Sequence, residues 1–161
     1  MEPILFPQAV WKPLDHHSSP GTLAQRNMVV LHITEGANAA GTIEWFKQSS
    51  GKSAVSAHFV IDRDGTVYQL VSIADTAWHC NAANGHTIGI EHAAISGKLM
   101  ATEEQYAASA MLVKWLCEQM KVACDREHVR SHFEVDQTHL HVQCCKGALD
   151  PDRVVSMASA L

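Results

Sequence analysis

Histidine and cysteine are the residues of this chain that are best suited to chemistry. Its 161 residues include 11 histidines and five cysteines. Three histidines and two adjacent cysteines fall within residues 131–145, which read SHFEVDQTHLHVQCC. Two imidazoles with one thiolate or carboxylate form the donor set of a catalytic zinc ion, which keeps one coordination position open. A metal site therefore competes here with a histidine-rich surface and with a disulfide corner.

The candidate metal ligands are far apart in the sequence, so their spacing alone does not choose between these alternatives. His32 lies inside the apolar run MVVLHI, where its polar ring needs either a hydrogen-bonding partner or a metal ion. His132 follows a predicted strand end, HVRSH, and Cys145 closes the long loop that begins there. His139 and His141 alternate along this loop, and we expect them to face solvent or to line a cleft.

A carboxylate in an apolar segment is a candidate of a different kind. Glu91 stands in the segment IGIEH, and a buried carboxylate is costly unless it is paired, protonated or on a cleft wall. Such a group is a suitable general base for a water molecule beside a metal ion. The alternative is a glutamate at a strand end that simply faces solvent.

The cysteines do not form an obvious disulfide framework. Their number is odd, so at least one stays outside any intramolecular disulfide. A disulfide between the neighbours Cys144 and Cys145 requires a strained ring, and we expect two loop thiols, one buried and one exposed. Cys117 lies on the apolar side of a predicted helix, where we expect it to pack in the core.

Composition narrows the class of protein. A hydrophobic content of 47% with 18% charged residues is typical of a folded globule of one domain. The formal charge of −5 gives no support for nucleic-acid binding, and no apolar run reaches membrane-spanning length. The N-terminus lacks the features of a signal peptide, so we expect synthesis in the cytoplasm.

The elements that must position the candidate residues alternate between strands and helices. Residues 1–27 are expected to form an irregular arm on the domain formed by residues 28–161. Strands are predicted at 28–33, 58–61, 66–71 and 86–94, and helices at 41–50, at 102–120 and from about 150 onwards. DRDG is a hairpin turn sequence, and TEEQ is a capping box that begins the longest helix. The pattern predicts a single α/β domain with a central mixed β-sheet flanked by helices.

Four blocks of sequence, taken in order, resemble a known enzyme family. They are VVLHIT, SAHFVIDRDGTVYQLV, TAWHCNAANGHTIGIEH and VRSHFEVD followed by CCKGALDPDRV. The chain resembles zinc-dependent N-acetylmuramoyl-L-alanine amidases of amidase family 2, which also includes peptidoglycan recognition proteins. The resemblance implies a zinc amidase domain over 28–161 that binds one Zn²⁺. It also implies cleavage of the amide between N-acetylmuramic acid and L-alanine of the stem peptide.

The resemblance assigns the metal ligands. His32 matches the first ligand of the family and His132 the second. The third ligand is a cysteine or aspartate shortly before Pro-Gly, and CCKGALD resembles that pattern with Lys146 in the place of proline, which makes Cys145 the expected ligand. Cys144 and Asp150 are the alternatives to Cys145.

The resemblance also suggests catalytic and substrate-binding residues. Members that lack a tyrosine before the hairpin histidine, where this chain has Ala57, use the glutamate that Glu91 matches. Gln143 replaces a lysine found in many members, which leaves Lys146, His139 or His141 to stabilise the oxyanion. The catalytic residues expected are therefore Glu91 and Lys146. The residues expected to contact the substrate are His79, His58, Asn84 and His86.

These observations favour an enzyme over a binding module, because the predicted metal set is complete. The alternative is a recognition domain that binds peptidoglycan without cutting it. Three settings fit a peptidoglycan hydrolase without a signal peptide: a phage endolysin, an injected antibacterial effector, or a cytoplasmic enzyme that recycles muropeptides. The first two act in the periplasm after release or injection. The effector setting implies an inhibitory immunity protein as partner.

Overall fold

A mixed β-sheet forms the centre of the protein. The computed structural model describes residues 2–136, 138 and 144–161. In this part of the chain the strands are β1 (Val10–Trp11), β2 (Ser18–Ser19), β3 (Met28–Ile33), β4 (Phe59–Ile61), β5 (Val67–Gln69), β6 (Thr76–Ala77), β7 (Thr87–His92) and β8 (Val129–Ser131). The α-helices are α1 (Ala39–Gln48), α2 (Glu103–Met120), α3 (His132–Val135) and α4 (Pro151–Ser159), and short 3-10 helices span Leu23–Gln25, Gly51–Ser53 and Asn81–His86.

Six of these strands form the main sheet, in the order β1-β5-β4-β7-β3-β8. The strands β4, β7, β3 and β8 run parallel to one another, and β5 is antiparallel to β4 in the hairpin. The carboxyl ends of the parallel strands meet at one edge of the sheet, which is where open α/β sheets usually bind ligands. β2 and β6 form a separate antiparallel pair.

The alternation of side chains along the strands gives the sheet two different faces. On one face the odd-numbered positions of β3 pack with apolar residues of α2 and α4 in the main hydrophobic core. The opposite face carries His32, Glu91 and Val60, and its apolar part packs with α1 in a smaller cluster. The strand β3 therefore contributes apolar side chains to the core from one face and His32 to the candidate site from the other.

The longest helix begins as its sequence predicts. The side chain of Thr102 accepts a hydrogen bond from the backbone of Gln105, and the Gln105 side chain accepts one from the backbone of Thr102. The same glutamine donates to the carbonyls of Ile61 and Ala93, which fixes the start of α2 against the ends of β4 and β7.

The first 27 residues are bound to the domain by backbone and side-chain contacts. Val10 and Trp11 form the edge strand β1, which pairs with β5, and Phe6 packs into the main core. Gln69 is fully buried, and its side chain accepts from the backbone of Phe6 and donates to the carbonyl of Ile4. The division between an arm and a domain at residue 27 stays a prediction.

The predicted fold class is confirmed: a single α/β domain with a central mixed sheet and flanking helices. The predicted strands and helices are found, with ends that differ by a few residues. The sequence analysis placed a long loop directly after position 132, whereas the chain first makes the helical turn α3. Among the described helices, none combines the length and the apolar character needed to cross a bilayer.

Candidate metal centre and groove

Three side chains from separate parts of the chain converge at the carboxyl edge of the sheet. They are His32 near the end of β3, His132 directly after β8, and Cys144. Leu31 and Ser131 are register partners in the parallel pair β3–β8, so the two histidines that follow them lie side by side. One donor atom from each residue lies within 4.8 Å of the other two. Three donor atoms this close together can hold a metal ion.

The chemistry of the three donors fits zinc. Imidazole nitrogen and thiolate sulfur are the ligands that zinc prefers, and atoms bound tetrahedrally to zinc stand roughly 3.5 Å apart. The neighbouring Cys145, followed by His132 and His32, lowers the pKa of Cys144 below its ordinary value. The site therefore favours the thiolate, which is the form of cysteine that binds metals.

The structure differs from the sequence-based expectation at the third donor, because the cysteine that clusters with the two histidines is Cys144 and not Cys145. Its sulfur donates a hydrogen bond to the carbonyl of Leu31 at 2.9 Å, and its side chain lies in the main core. Burial raises the pKa of Cys145 well above its ordinary value. The two sulfur atoms lie 4.0 Å apart, and among the described residues it is Cys144 that clusters with His32 and His132.

Asp150, the other alternative for the third ligand, has a different task. It is the N-cap residue of α4, and its side chain accepts hydrogen bonds from the backbone of Asp152 and Arg153. This position at the start of a helix is typical of aspartate.

The helical turn that carries His132 is held by a capping box and an ion pair. Glu134 accepts hydrogen bonds from the backbone and the hydroxyl of Ser131, both at 2.7 Å. Arg126 pairs with Glu134 at 2.8 Å and with Asp152 of α4 at 2.9 Å. These contacts hold the backbone of the turn in place, and with it the position of His132.

Glu91 lies beside the three donors, on the neighbouring strand. It is the register partner of His32, and its Oε1 lies 3.9 Å from Nδ1 of that histidine. Its side chain is 14% exposed, and burial, followed by the nearby Cys144, raises its pKa well above the ordinary value. Among the described residues, its Oε2 has no hydrogen-bond partner. A carboxylate in this position can exchange a proton with a molecule bound at the donors.

Two further histidines lie behind the donors. His79 Nδ1 is 2.9 Å from His32 Nε2, and its Nε2 is 3.2 Å from the hydroxyl of Thr87. His58 accepts from the backbone of Gly89 through Nδ1 and donates to the carbonyl of Asp75 through Nε2. Burial lowers the pKa of both rings, that of His58 to about 3. The ring nitrogens of His58 and of His79 are therefore engaged in hydrogen bonds within the protein.

A groove runs past the donors. It has a volume of about 580 Å³, and an adjoining cavity of about 290 Å³ shares Trp45 and Glu91 with it. Residues of several types line the larger part: His32, Trp45, Lys52, Trp78, His79, Asn84, Glu91, His132 and Cys144. Trp45 is 59% exposed, so most of its indole is open to whatever the groove binds.

The other residues expected in the site are distributed differently. Asn84 lines the groove, although its side-chain oxygen accepts from the backbone of His79 and Cys80. His86 is exposed and is not among the groove-lining residues. Lys146 is also exposed and lines a separate cavity with Met100 and Phe133, so the turn does not bring it to the donors. His139, His141 and Gln143 lie outside the described residues.

The sequence analysis did not single out Trp45, Thr87 or Gly89. A signal was present for two of them. Ile43 and Phe46 face the core from α1, so Trp45 between them falls on the outer side of the helix. Gly89 interrupts an apolar strand, and a glycine in a strand often marks a close approach of another group. Thr87 carries no comparable signal.

Comparison with known proteins agrees with this fold. The sequence profile of the N-acetylmuramoyl-L-alanine amidase family matches residues 23–152. N-acetylmuramoyl-L-alanine amidase A of Achromobacter lyticus is 37% identical over 123 residues, which are 74% of this chain and 67% of that protein.

Solved structures share the fold at lower sequence identity. A selenomethionine derivative of AmpD superposes with a TM-score of 0.77 at 19% identity, over 95% of this chain and 96% of the other. N-acetylmuramoyl-L-alanine amidase LysC from Clostridium intestinale also gives 0.77 at 19% identity, over 96% and 99%. With the family profile matched over most of its length, this chain belongs to the N-acetylmuramoyl-L-alanine amidase family of hydrolases.

Proposed function

We propose that this protein is a zinc-dependent hydrolase that cleaves the amide between N-acetylmuramic acid and L-alanine of the peptidoglycan stem peptide. The observation that supports the proposal most strongly is the convergence of His32, His132 and Cys144 beside Glu91, within an open groove. Membership of the amidase family supplies the class of bond. The two imidazoles and the thiolate indicate that the metal is zinc.

Each residue of the cluster has a separate task in this proposal. His32, His132 and Cys144 hold the zinc ion, which when bound supplies Lewis-acid chemistry that polarises a carbonyl and acidifies water. Glu91 takes the proton of the attacking water as the new C–O bond forms. It then returns that proton to the alanine nitrogen as the C–N bond breaks. The products are a muramyl carboxylate and a stem peptide with a free amino terminus.

The groove suits a substrate with a sugar and a short peptide. The exposed face of Trp45 offers flat apolar surface close to Glu91, and Lys52 offers a cation in the same groove. A muropeptide carries both apolar sugar faces and free carboxylates, which such groups bind. We propose that these two residues and Asn84 contact the substrate. His58 and His86, which were expected to do so, do not line the groove.

The binding-module alternative predicts a groove that has lost part of the catalytic set. Here a sulfur donor stands within 4.8 Å of both imidazole donors, and a carboxylate lies beside them. A module that only binds has no use for either group. The proposal therefore remains an enzyme.

The biological setting is tested by the choice of substrate. An endolysin or an injected effector cuts intact peptidoglycan, whereas a recycling enzyme prefers soluble muropeptides. An immunity protein belongs only to the effector setting. Parallel assays on purified sacculi and on soluble muropeptides of the same stem peptide separate these settings.

The proposed activity is tested by incubating the purified protein with a muropeptide and measuring new free L-alanine amino termini. We expect cleavage with zinc present, loss of cleavage with a chelator, and recovery when zinc is added back. The Glu91→Gln variant, loaded with zinc, is the matched control for chemistry as opposed to binding. Binding of muropeptide without any amide cleavage, at full zinc loading, would establish the recognition module instead.

A further inference from the structure

A chain of hydrogen bonds leads from the first proposed metal ligand into the protein. Nε2 of His32 is 2.9 Å from Nδ1 of His79, and Nε2 of His79 is 3.2 Å from the hydroxyl of Thr87. That hydroxyl lies 2.9 Å from the carbonyl of Ala83. The rings of His32 and His79 are nearly perpendicular, with centroids 5.0 Å apart, so the contact is made through the ring edge.

The carbonyl at the end of the chain sets the direction of every bond in it. A carbonyl only accepts, so Thr87 donates its proton to Ala83. The hydroxyl oxygen then accepts from Nε2–H of His79, which leaves Nδ1 of that ring as an acceptor. A neutral His32 ring therefore carries its proton on Nε2 and its lone pair on Nδ1. Nδ1 is also the nitrogen of His32 that lies 3.9 Å from Glu91.

The backbone around His79 is arranged to hold its ring in this place. Asn84 accepts from the backbone N–H groups of His79 and Cys80, at 2.9 and 2.6 Å. The ring itself lies against β7 at Gly89, where a Cβ atom would stand 2.6 Å from Cγ and Nδ1 of His79. Real Cβ atoms do not approach so closely, so glycine at this position makes room for the ring.

We propose that His79 is a positioning residue for the metal centre: with Thr87 behind it and Gly89 beneath it, it fixes the tautomer and the ring plane of His32. Ligating histidines commonly donate their second N–H to a partner, and loss of such a partner costs about 10- to 100-fold in metal affinity. Here the partner is a second histidine, whose own tautomer depends on a threonine. This inference deepens the proposed function and rests on it for the identity of the metal.

The test compares matched pairs of variants by zinc affinity, measured in competition with a chromophoric chelator. His79→Asn keeps an acceptor near the position of Nδ1, whereas His79→Leu removes it. We expect His79→Leu to lose about 10- to 100-fold in zinc affinity and His79→Asn to lose much less. Equal affinities for His79→Leu and the unmodified protein overturn the inference. Equal losses in both variants also overturn it, because they assign the effect to packing alone.

A second pair and a spectroscopic signature keep the test decisive if His79→Leu does not fold. Thr87→Ser keeps the hydroxyl and Thr87→Val removes it at nearly equal volume, so only Thr87→Val should weaken zinc binding. Equal affinities in this pair contradict the proposed chain. Nitrogen-15 NMR of the zinc-loaded protein should show His32 protonated at Nε2, and a proton on Nδ1 in that form contradicts the assignment. If the unmodified protein binds no zinc at all, the proposed function fails rather than this inference.

Discussion

Two sides of the proposed metal site are held by different means. On one side, which we call the strand-held side, His32 and Glu91 are register partners on adjacent parallel strands. On the other, the turn-held side, Cys144 precedes a turn in which Cys145 and Gly147 both have left-handed backbone angles, with φ of 68° and 71°. The alternation of side chains along a strand decides that His32 and Glu91 point to the same face of the sheet. The direction of Cys144 depends on the backbone of its neighbours.

This difference teaches how substitutions should act on each side. A change on the strand-held side leaves the sheet in place, so its effect comes through chemistry or through the groups that pack behind the rings. A change on the turn-held side alters which sulfur reaches the ion. The following predictions separate these two kinds of effect.

The largest effect expected on the strand-held side is chemical. Glu91→Gln should leave the fold and the bound zinc unchanged while turnover falls about 10²-fold or more, the scale of general acid–base catalysis. Glutamine fills the same volume but cannot take up the proton of water. Turnover on a purified muropeptide, together with zinc content, measures both parts. A variant that keeps near-normal turnover would remove Glu91 from the mechanism.

The protein should also lose stability in acid through His58, whose ring accepts a hydrogen bond from Gly89 of β7. Its ring is fully buried, and burial lowers its pKa from 6.5 to about 3. The unfolded chain therefore binds a proton between these values when the folded protein does not. The contribution of the neutral His58 to the free energy of unfolding is present above pH 6.5. It is lost as pH falls, by about 2 kcal/mol at pH 5.

Urea unfolding of the metal-free protein at pH 7.5 and pH 5 measures this loss without interference from zinc release. His58→Gln is the matched variant, since glutamine does not titrate in this range. The difference between the two pH values should be smaller in this variant by about 2 kcal/mol. The same pH dependence with and without the histidine would show that other groups carry it.

A smaller effect is expected at Gly89, where the absence of a side chain makes room for the ring of His79. Gly89→Ala places a Cβ atom against the ring of His79, which must then move. We expect about a tenfold loss of zinc affinity, the lower end of the range for groups that support a ligand. Gly85→Ala is the control, because a Cβ atom there meets nothing within 4 Å. Equal zinc affinities in the two variants would contradict the close packing of His79.

The smallest effect concerns His132, which directly follows β8 and begins α3. Glu134→Ala removes the capping box of α3 and should lower the free energy of unfolding by about 1 kcal/mol, the usual size of a helix cap. Asp152→Asn is the control, because its pair with Arg126 is largely exposed and such pairs contribute little. Thermal unfolding measures both. Equal losses would show that the cap does not hold the turn.

The contrast between the two sides also explains what could be predicted from the sequence. The apolar runs around His32 and Glu91 identify strands, and alternation along a strand decides which residues share a face. The family resemblance then ordered the blocks, and the structure brings His32, His132 and Glu91 together as expected. The capping box of α2 depends on local hydrogen bonds, so its sequence signature was also sufficient.

The turn-held side could not be predicted in the same way. Cys145 is not a glycine, so nothing in its type indicates a left-handed backbone, and that backbone helps to decide which sulfur faces the histidines. Lys146 faces another cavity as part of the same turn. The partners of His79 were also missed, because its contacts with Thr87 and Gly89 depend on how the segment before β7 folds back over that strand.

The central claim, that one zinc ion joins the two sides through His32, His132 and Cys144, is tested most directly by the zinc coordination of the two cysteine variants. X-ray absorption of the zinc-loaded protein should show one sulfur at about 2.3 Å and nitrogen at about 2.0–2.1 Å. Cys145→Ala should keep one zinc per chain and the sulfur signal, because the side chain of Cys145 faces the core. Cys144→Ala should lose the sulfur signal together with tight zinc binding and amidase activity. Retention of zinc with a sulfur ligand in Cys144→Ala, and its loss in Cys145→Ala, would contradict the account.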